Sequence, residues 1–134
     1  MAQSYVAETK YGKIKVGRNA IARAAVESLE ELGNRVTLCS RRGKILRKHS
    51  VAELTAVDVE AIEGDIRLTV YVIVRFGLSI TKTADAIVDA IRKDVRRMLG
   101  RSPSVITVRV RGVISKGVVA PRDITIKREL EVQQ

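Results

Sequence analysis

The stretch "DIRLTVYVIVRFG", Asp65 to Gly77, decides the fold because of its period. Ile66, Leu68, Val70, Val72 and Val74 fall on one face of an extended chain, and Arg67, Thr69, Tyr71, Ile73 and Arg75 on the other. A period of two residues marks a strand packed on a core, a setting that suits β-branched side chains. Gly77 breaks the run. Upstream, "VDVEAIEG" (Val57 to Gly64) reads as a partner strand joined through a turn at Glu63-Gly64-Asp65. Downstream the period changes. Over "ITKTADAIVDAIRKDVRRMLG", Ile80, Ala84, Ile87, Val88, Ile91, Val95 and Leu99 form one apolar stripe at helical spacing. Asp85 and Asp89 lie early and Arg92, Lys93, Arg96 and Arg97 late, the order a helix dipole favours, and Gly100 supplies the stop.

Working outward, "VITVRVRGVI" (Val105 to Ile114) is a further strand. It has Ile106, Val108 and Val110 on one side and Thr107, Arg109 and Arg111 on the other. Near the N-terminus "KIKV" reads as a strand, and "AIARAAVESLEELG" as a helix with Ile21, Ala25, Leu29 and Leu32 inward, ending at Gly33. Gly17 or Asn19 is its cap, and Glu27, Glu30 and Glu31 lie on its outer side. From Gly33 to Ala56 no period persists: "NRVTLC" suits a strand and "SVAELTAV" a single helical turn. Beyond Pro121, "DITIKREL" is a candidate extra strand. The order β-α-loop-β-β-α-β predicts an α+β fold in two layers. A small, mostly antiparallel sheet carries the two main amphipathic helices on one face. The 134 residues fit one domain, spanning 11–114 with a basic connection at 33–56, a tail at 1–10 and an extension at 115–134.

Lys and Arg number 25 against 15 Asp and Glu, a formal net charge of +10. Half of it comes from the 33–56 connection, above all from "LCSRRGKILRKHS", with Arg41, Arg42, Lys44, Arg47 and Lys48. Such a segment suits phosphates, anionic lipid or plain solvation. Arg67, Arg75, Arg109 and Arg111 share a predicted sheet face with Tyr71, a face able to meet phosphates and stack one base. The same arginines also serve to keep an open sheet soluble, and the "ITI" segment is placed to cover that face instead. One Phe, three Tyr and no Trp argue against a platform of several stacking aromatics.

The catalytic inventory is thin. One Cys and one His rule out a zinc site of Cys/His type, and a single cysteine points to a reducing cytoplasm. Cys39 and His49 lie ten residues apart in an irregular segment without a nucleophile signature. Asp85 and Asp89 are explained by helical pairing with Lys82, Arg92 and Lys93. No glycine-rich phosphate loop is present, no active site is expected, and no apolar run reaches the ~18 residues of a membrane span.

"GDIRLTVYVIVRFGLSI", then "ADAIVDAIRKDVRRMLG", then "VITVRVRGV" resembles the bacterial alkaline shock protein family of envelope stress response proteins. Tyr71, Val72, Val74, Phe76, Gly77, Ile80, Gly100, Val108, Val110, Gly112 and Val113 carry that pattern, and "YGKIKVGRNAIARAAVESLEELG" is similar to the family's opening. The likeness covers about residues 11–114. Thr81 stands where a proline often begins the second helix, Thr107 and Arg109 replace Asn and His, and this chain is basic where many relatives are acidic. The resemblance implies no catalysis and no cofactor. It implies self-association and a protein partner, membrane-anchored in some members, at the cytoplasmic face of the envelope.

Two readings follow. In the first the chain is a non-enzymatic, self-associating interaction protein of the envelope stress type, with the basic segment drawn to anionic lipid. In the second it is an RNA-binding or ribosome-associated module using the basic loop and the arginine-bearing sheet face.

Overall fold

The structure, a computed structural model, describes residues 4–62 and 64–130. The strand read first, β5 (Asp65–Arg75), lies between neighbours on both sides. Along one edge run two strands placed end to end: β3 (Val36–Leu38) pairs with residues 72–74 and β4 (Val57–Ile62) with residues 65–70, both antiparallel. On the other edge β6 (Val105–Ser115) is parallel to β5, and β7 (Val118–Glu129) closes the five-stranded sheet antiparallel to β6. A second, two-stranded sheet is the N-terminal hairpin of β1 (Ser4–Thr9) and β2 (Gly12–Gly17).

The parallel β5–β6 pair requires a crossover, supplied by α2 (Ile80–Leu99). Its start is capped by the Ser79 side chain, which accepts a hydrogen bond from the Lys82 N–H, and its end by Gly100 in the left-handed conformation. The buried stripe is the expected one, with Thr83 and Ala90 added and Ile80 half-buried. The other helix, α1 (Arg18–Ser28), is shorter than the sequence suggests. The Ser28 hydroxyl donates back to the Ala25 carbonyl, and Leu29–Arg35 follows as 3-10 structure broken by a kink at Gly33, whose backbone is non-helical (φ 57°, ψ −135°). Both helices lie on the same sheet face. There Ile21 and Ala25 of α1 and Ile87, Ile91 and Val95 of α2 close over Leu68, Val70, Val72, Ile106, Val108 and Val110.

The fold is therefore a mixed α/β arrangement with a mostly antiparallel sheet, as expected. Residues 4–9, read as part of a tail, pair instead with β2. The extra strand after Pro121 exists, but it does not cover the open face. Ile124 and Ile126 extend the helix-side core at the sheet edge. Glu63, assigned to the β4–β5 turn, lies outside the described residues.

A bulge interrupts the alternation of β6. Val110 faces Val72, yet Gly112, two residues on, faces Ile73. Gly112 thereby lands on the open face, where a Cβ would lie 2.6 Å from a Val119 methyl and 3.2 Å from the Ala120 carbonyl. Only a missing side chain fits there. Gly112→Ala is expected to destabilise by about 1–3 kcal/mol through overpacking, and Ile91→Ala by about 2–5 kcal/mol through a cavity. Urea denaturation followed by circular dichroism measures both, with an unchanged slope for each.

Candidate functional site

With the helices on one side, the alternation of each strand sends its remaining side chains to the open face. The register aligns them in rows. Asp58 of β4, Thr69 of β5, Thr107 of β6 and Lys127 of β7 form one row. Tyr71, Arg109 and Thr125 form the next, and Glu60, Arg67 and Val105 flank the other side. Across the first row lies a concavity of about 590 Å³, also lined by Arg18, Arg41, Glu60 and Arg67.

Two aspartates organise the positive charge. Asp58 Oδ1 holds Arg41 Nη2 at 2.6 Å, with Arg18 Nη2 at 3.8 Å, while Asp58 Oδ2 accepts from the Tyr71 hydroxyl at 3.1 Å. Asp123 Oδ1 holds Arg109 Nη2 at 3.2 Å and Arg111 Nη1 at 3.1 Å. Among the described residues the Nε atoms of both arginines are buried and lack a hydrogen-bond partner, so Asp123 is their anchor. Burial, with Asp58 adding to it, raises the Tyr71 pKa above the ordinary tyrosine value.

The basic connection is ordered and divided. The Cys39 backbone N–H donates to the Tyr71 carbonyl, and a tight turn follows in which the Ser40 side chain accepts from the N–H groups of Arg42 and Lys44. Gly43 rests against Arg111, so Arg41, Arg42 and Lys44 belong to a turn lying on the open face. The chain then crosses the sheet edge. Leu46 packs on the helix-side core, and Lys48 and His49 rim a smaller cavity of about 270 Å³ beside α1, with His49 Nδ1 4.0 Å from Glu30. Arg47 is exposed, its carbonyl accepting from the Ser50 hydroxyl. The five basic residues of the connection thus do not make one grip.

Of the sheet-face candidates, Arg109 and Arg111 come together, Arg67 borders the large concavity, and Arg75 donates to the Asn34 side chain. Tyr71 is the correction. It is 9 % exposed and packs with Cys39 and Ile73 in a second small cluster, so its ring offers no face to a base. Arg18, Asp58, Thr69, Thr107, Asp123 and Lys127 belong to this face and were not singled out from the sequence. The period-two reading of β4 and β5 carried a signal for Asp58 and Thr69; Lys127 and Asp123 needed the β6–β7 register. Among the described residues no group of His, Cys, Asp and Glu is suited to a metal ion, and no helix is long and apolar enough to cross a membrane.

Cys39 is fully buried, and that burial pushes its thiol from 9.0 up to about 11, with Arg111 pulling the other way. An unfolded chain releases this proton earlier than the native one. Cys39 therefore contributes stability that is full below pH 9 and is lost as pH rises through about 11, and Tyr71, raised in the same direction, contributes stability that is lost only above the ordinary tyrosine range. Thermal melts across that range are expected to fall, and Cys39→Ala to remove part of the fall. Asp58→Asn leaves Arg41, Arg18 and Tyr71 without a charged acceptor. It is expected to lower the urea midpoint only slightly, because the arginines it releases are exposed and their pairing is screened by solvent.

No curated protein and no solved structure matches the chain. The family model of the alkaline shock protein 23 family, described by a cell envelope-related function, matches residues 6–115. That span runs from within β1 to the last residue of β6 and includes the open face except for β7. The chain belongs to the alkaline shock protein 23 family, a family of cell envelope-related function.

Proposed function

We propose that this protein is a non-enzymatic interaction protein that self-associates and docks a protein partner at the cytoplasmic side of the cell envelope. Family membership supplies the setting. The observation that carries the mode of action is the open sheet face, where Asp58 and Asp123 tie down Arg18, Arg41, Arg109 and Arg111. Held side chains of both signs are ordered before any partner arrives, and alternating charge selects a partner of complementary pattern. Against catalysis stands the state of the only thiol and imidazole. Cys39 is buried and hard to ionise, while His49 faces Glu30 from the helix side.

The same ion pairs count against RNA. A phosphate grip needs free cations and a stacking ring, whereas Arg41, Arg109 and Arg111 already have carboxylates and Tyr71 is covered. Membranes from the producing cell are expected to retain the purified chain. Protease-shaved membranes and protein-free vesicles of the same lipids are expected to release it. A parallel titration against a short fluorescent RNA should give weak binding. Tight RNA binding that drops about a thousandfold between ~50 and ~200 mM salt, and disappears when Arg41, Arg42, Arg47 and Lys48 are neutralised, would replace this reading with the nucleic-acid one. Retention by protein-free vesicles would assign the surface to lipid.

A further inference from the structure

The concavity on the open face has a floor that the ion pairs around it leave unused. Thr69 and Thr107 are ladder neighbours across the parallel β5–β6 pair, and both are half-buried. Their hydroxyls have no hydrogen-bond partner among the described residues. A hollow forms over them because the side chains around them are longer. Arg67 precedes Thr69 on the same face of β5, Lys127 of β7 faces Thr107, and Arg41 reaches Asp58 from the turn at residues 40–44. The two cations beside the floor are not tied down as the others are. Arg67 has no ion-pair partner among the described residues, although Glu60 is its ladder neighbour. Lys127 reaches only the exposed Glu129, at 4.0 Å. Neighbouring strands lie about 4.8 Å apart, which brings two facing hydroxyls within reach of one small acceptor group.

Resting on the partner docking just proposed, we infer that this concavity takes a carboxylate from an acidic segment of the protein partner. The carboxylate lies over Thr69 and Thr107, between Arg67 and Lys127. The argument is charge complementarity. Arg18, Arg41, Arg67 and Lys127 line the concavity against two carboxylates, Asp58 and Glu60. Asp58 is already shared by Arg41 and Arg18, so the excess of positive charge sits with Arg67 and Lys127. Hydroxyl, guanidinium and ammonium donors share one hollow there, and hydrogen bonds to an ionised acceptor are among the stronger kinds. The fixed Asp58 and Glu60 disfavour a group of higher negative charge, so a singly charged carboxylate suits the space better than a phosphate. Its volume of about 590 Å³ is that of a ligand site rather than of a gap between side chains. Lys127 lies beyond the residues the family model matches, so one wall comes from this chain's last strand.

The test titrates the full chain with a fluorescein-labelled hexaglutamate peptide at low salt. Saturable binding is expected. Thr69→Val with Thr107→Val keeps the shape, the net charge and a cooperative melt, yet should weaken binding about tenfold or more. Arg67→Gln with Lys127→Gln should abolish it. Lys93→Gln with Arg96→Gln removes the same charge from the exposed side of α2 and should leave binding within about twofold. Binding that survives the two valines, or that falls as far in the helix pair, overturns the site and leaves general charge attraction. Displacement of the peptide by phosphate at lower concentration than by succinate overturns the choice of carboxylate. Membranes from the producing cell should retain the wild type and release the Arg67→Gln, Lys127→Gln chain. Equal retention of both overturns this docking point while partner docking stands. Release of the wild type overturns partner docking and this use of the concavity together.

Discussion

Everything else in the molecule is arranged around the burial of the middle of β5, Val70 to Val74, on both faces. Val70, Val72 and Ile73 are fully buried, the first two under the helices and the third in the small cluster with Cys39 and Tyr71. A strand covered on both sides cannot slip its register without exposing an entire apolar row. The positions of β4, β6 and, through β6, β7 are thereby set. Because β3 and β4 share one edge of β5, the chain between them must leave that edge at Cys39 and return at Val57. That detour holds the basic connection in place. A strongly charged segment is ordered because its two ends are ladder residues, not because its own side chains pack.

Much of this was legible in the sequence. The alternation in 65–77 and 105–110 gave the two sheet faces, and the helical stripe from Ile80 to Leu99 matches the buried residues almost position by position. What escaped had a physical reason in each case. Pairing direction is not a local property: β5 and β6 look alike whether parallel or antiparallel, and only the length of the intervening helix decides. The end of α1 depends on a serine hydroxyl competing for a backbone carbonyl. The burial of Tyr71 depends on Cys39 and the turn after it, a segment without any period to read. The bulge at Gly112 is visible only when three strands are seen together.

The candidate site shows the same division. Counting charges revealed a surplus of cations but not their bookkeeping, since Asp58 and Asp123 come from separate strands and neutralise arginines up to 40 positions away (58 − 18). Once those pairs form, the open face alternates in sign. The net charge of +10 then reflects the remaining exposed cations, which are spread over both sides of the sheet. A uniform polyanion would meet such a surface poorly, and a folded protein with its own pattern would meet it well.

The parallel crossover has a kinetic meaning as well. The β4–β5 hairpin closes across a two-residue connection, whereas the contact of Ser104 with Ile66 that opens the β5–β6 ladder spans 38 positions. Loop-closure entropy makes the second event the slower one unless α2 has already shortened the path. Folding then proceeds from the β4–β5 hairpin, through formation of the long helix, to docking of β6. The β6–β7 hairpin also closes across a two-residue connection, so the two strands dock as a pair, and completing the parallel ladder brings the outer strand of the sheet with it.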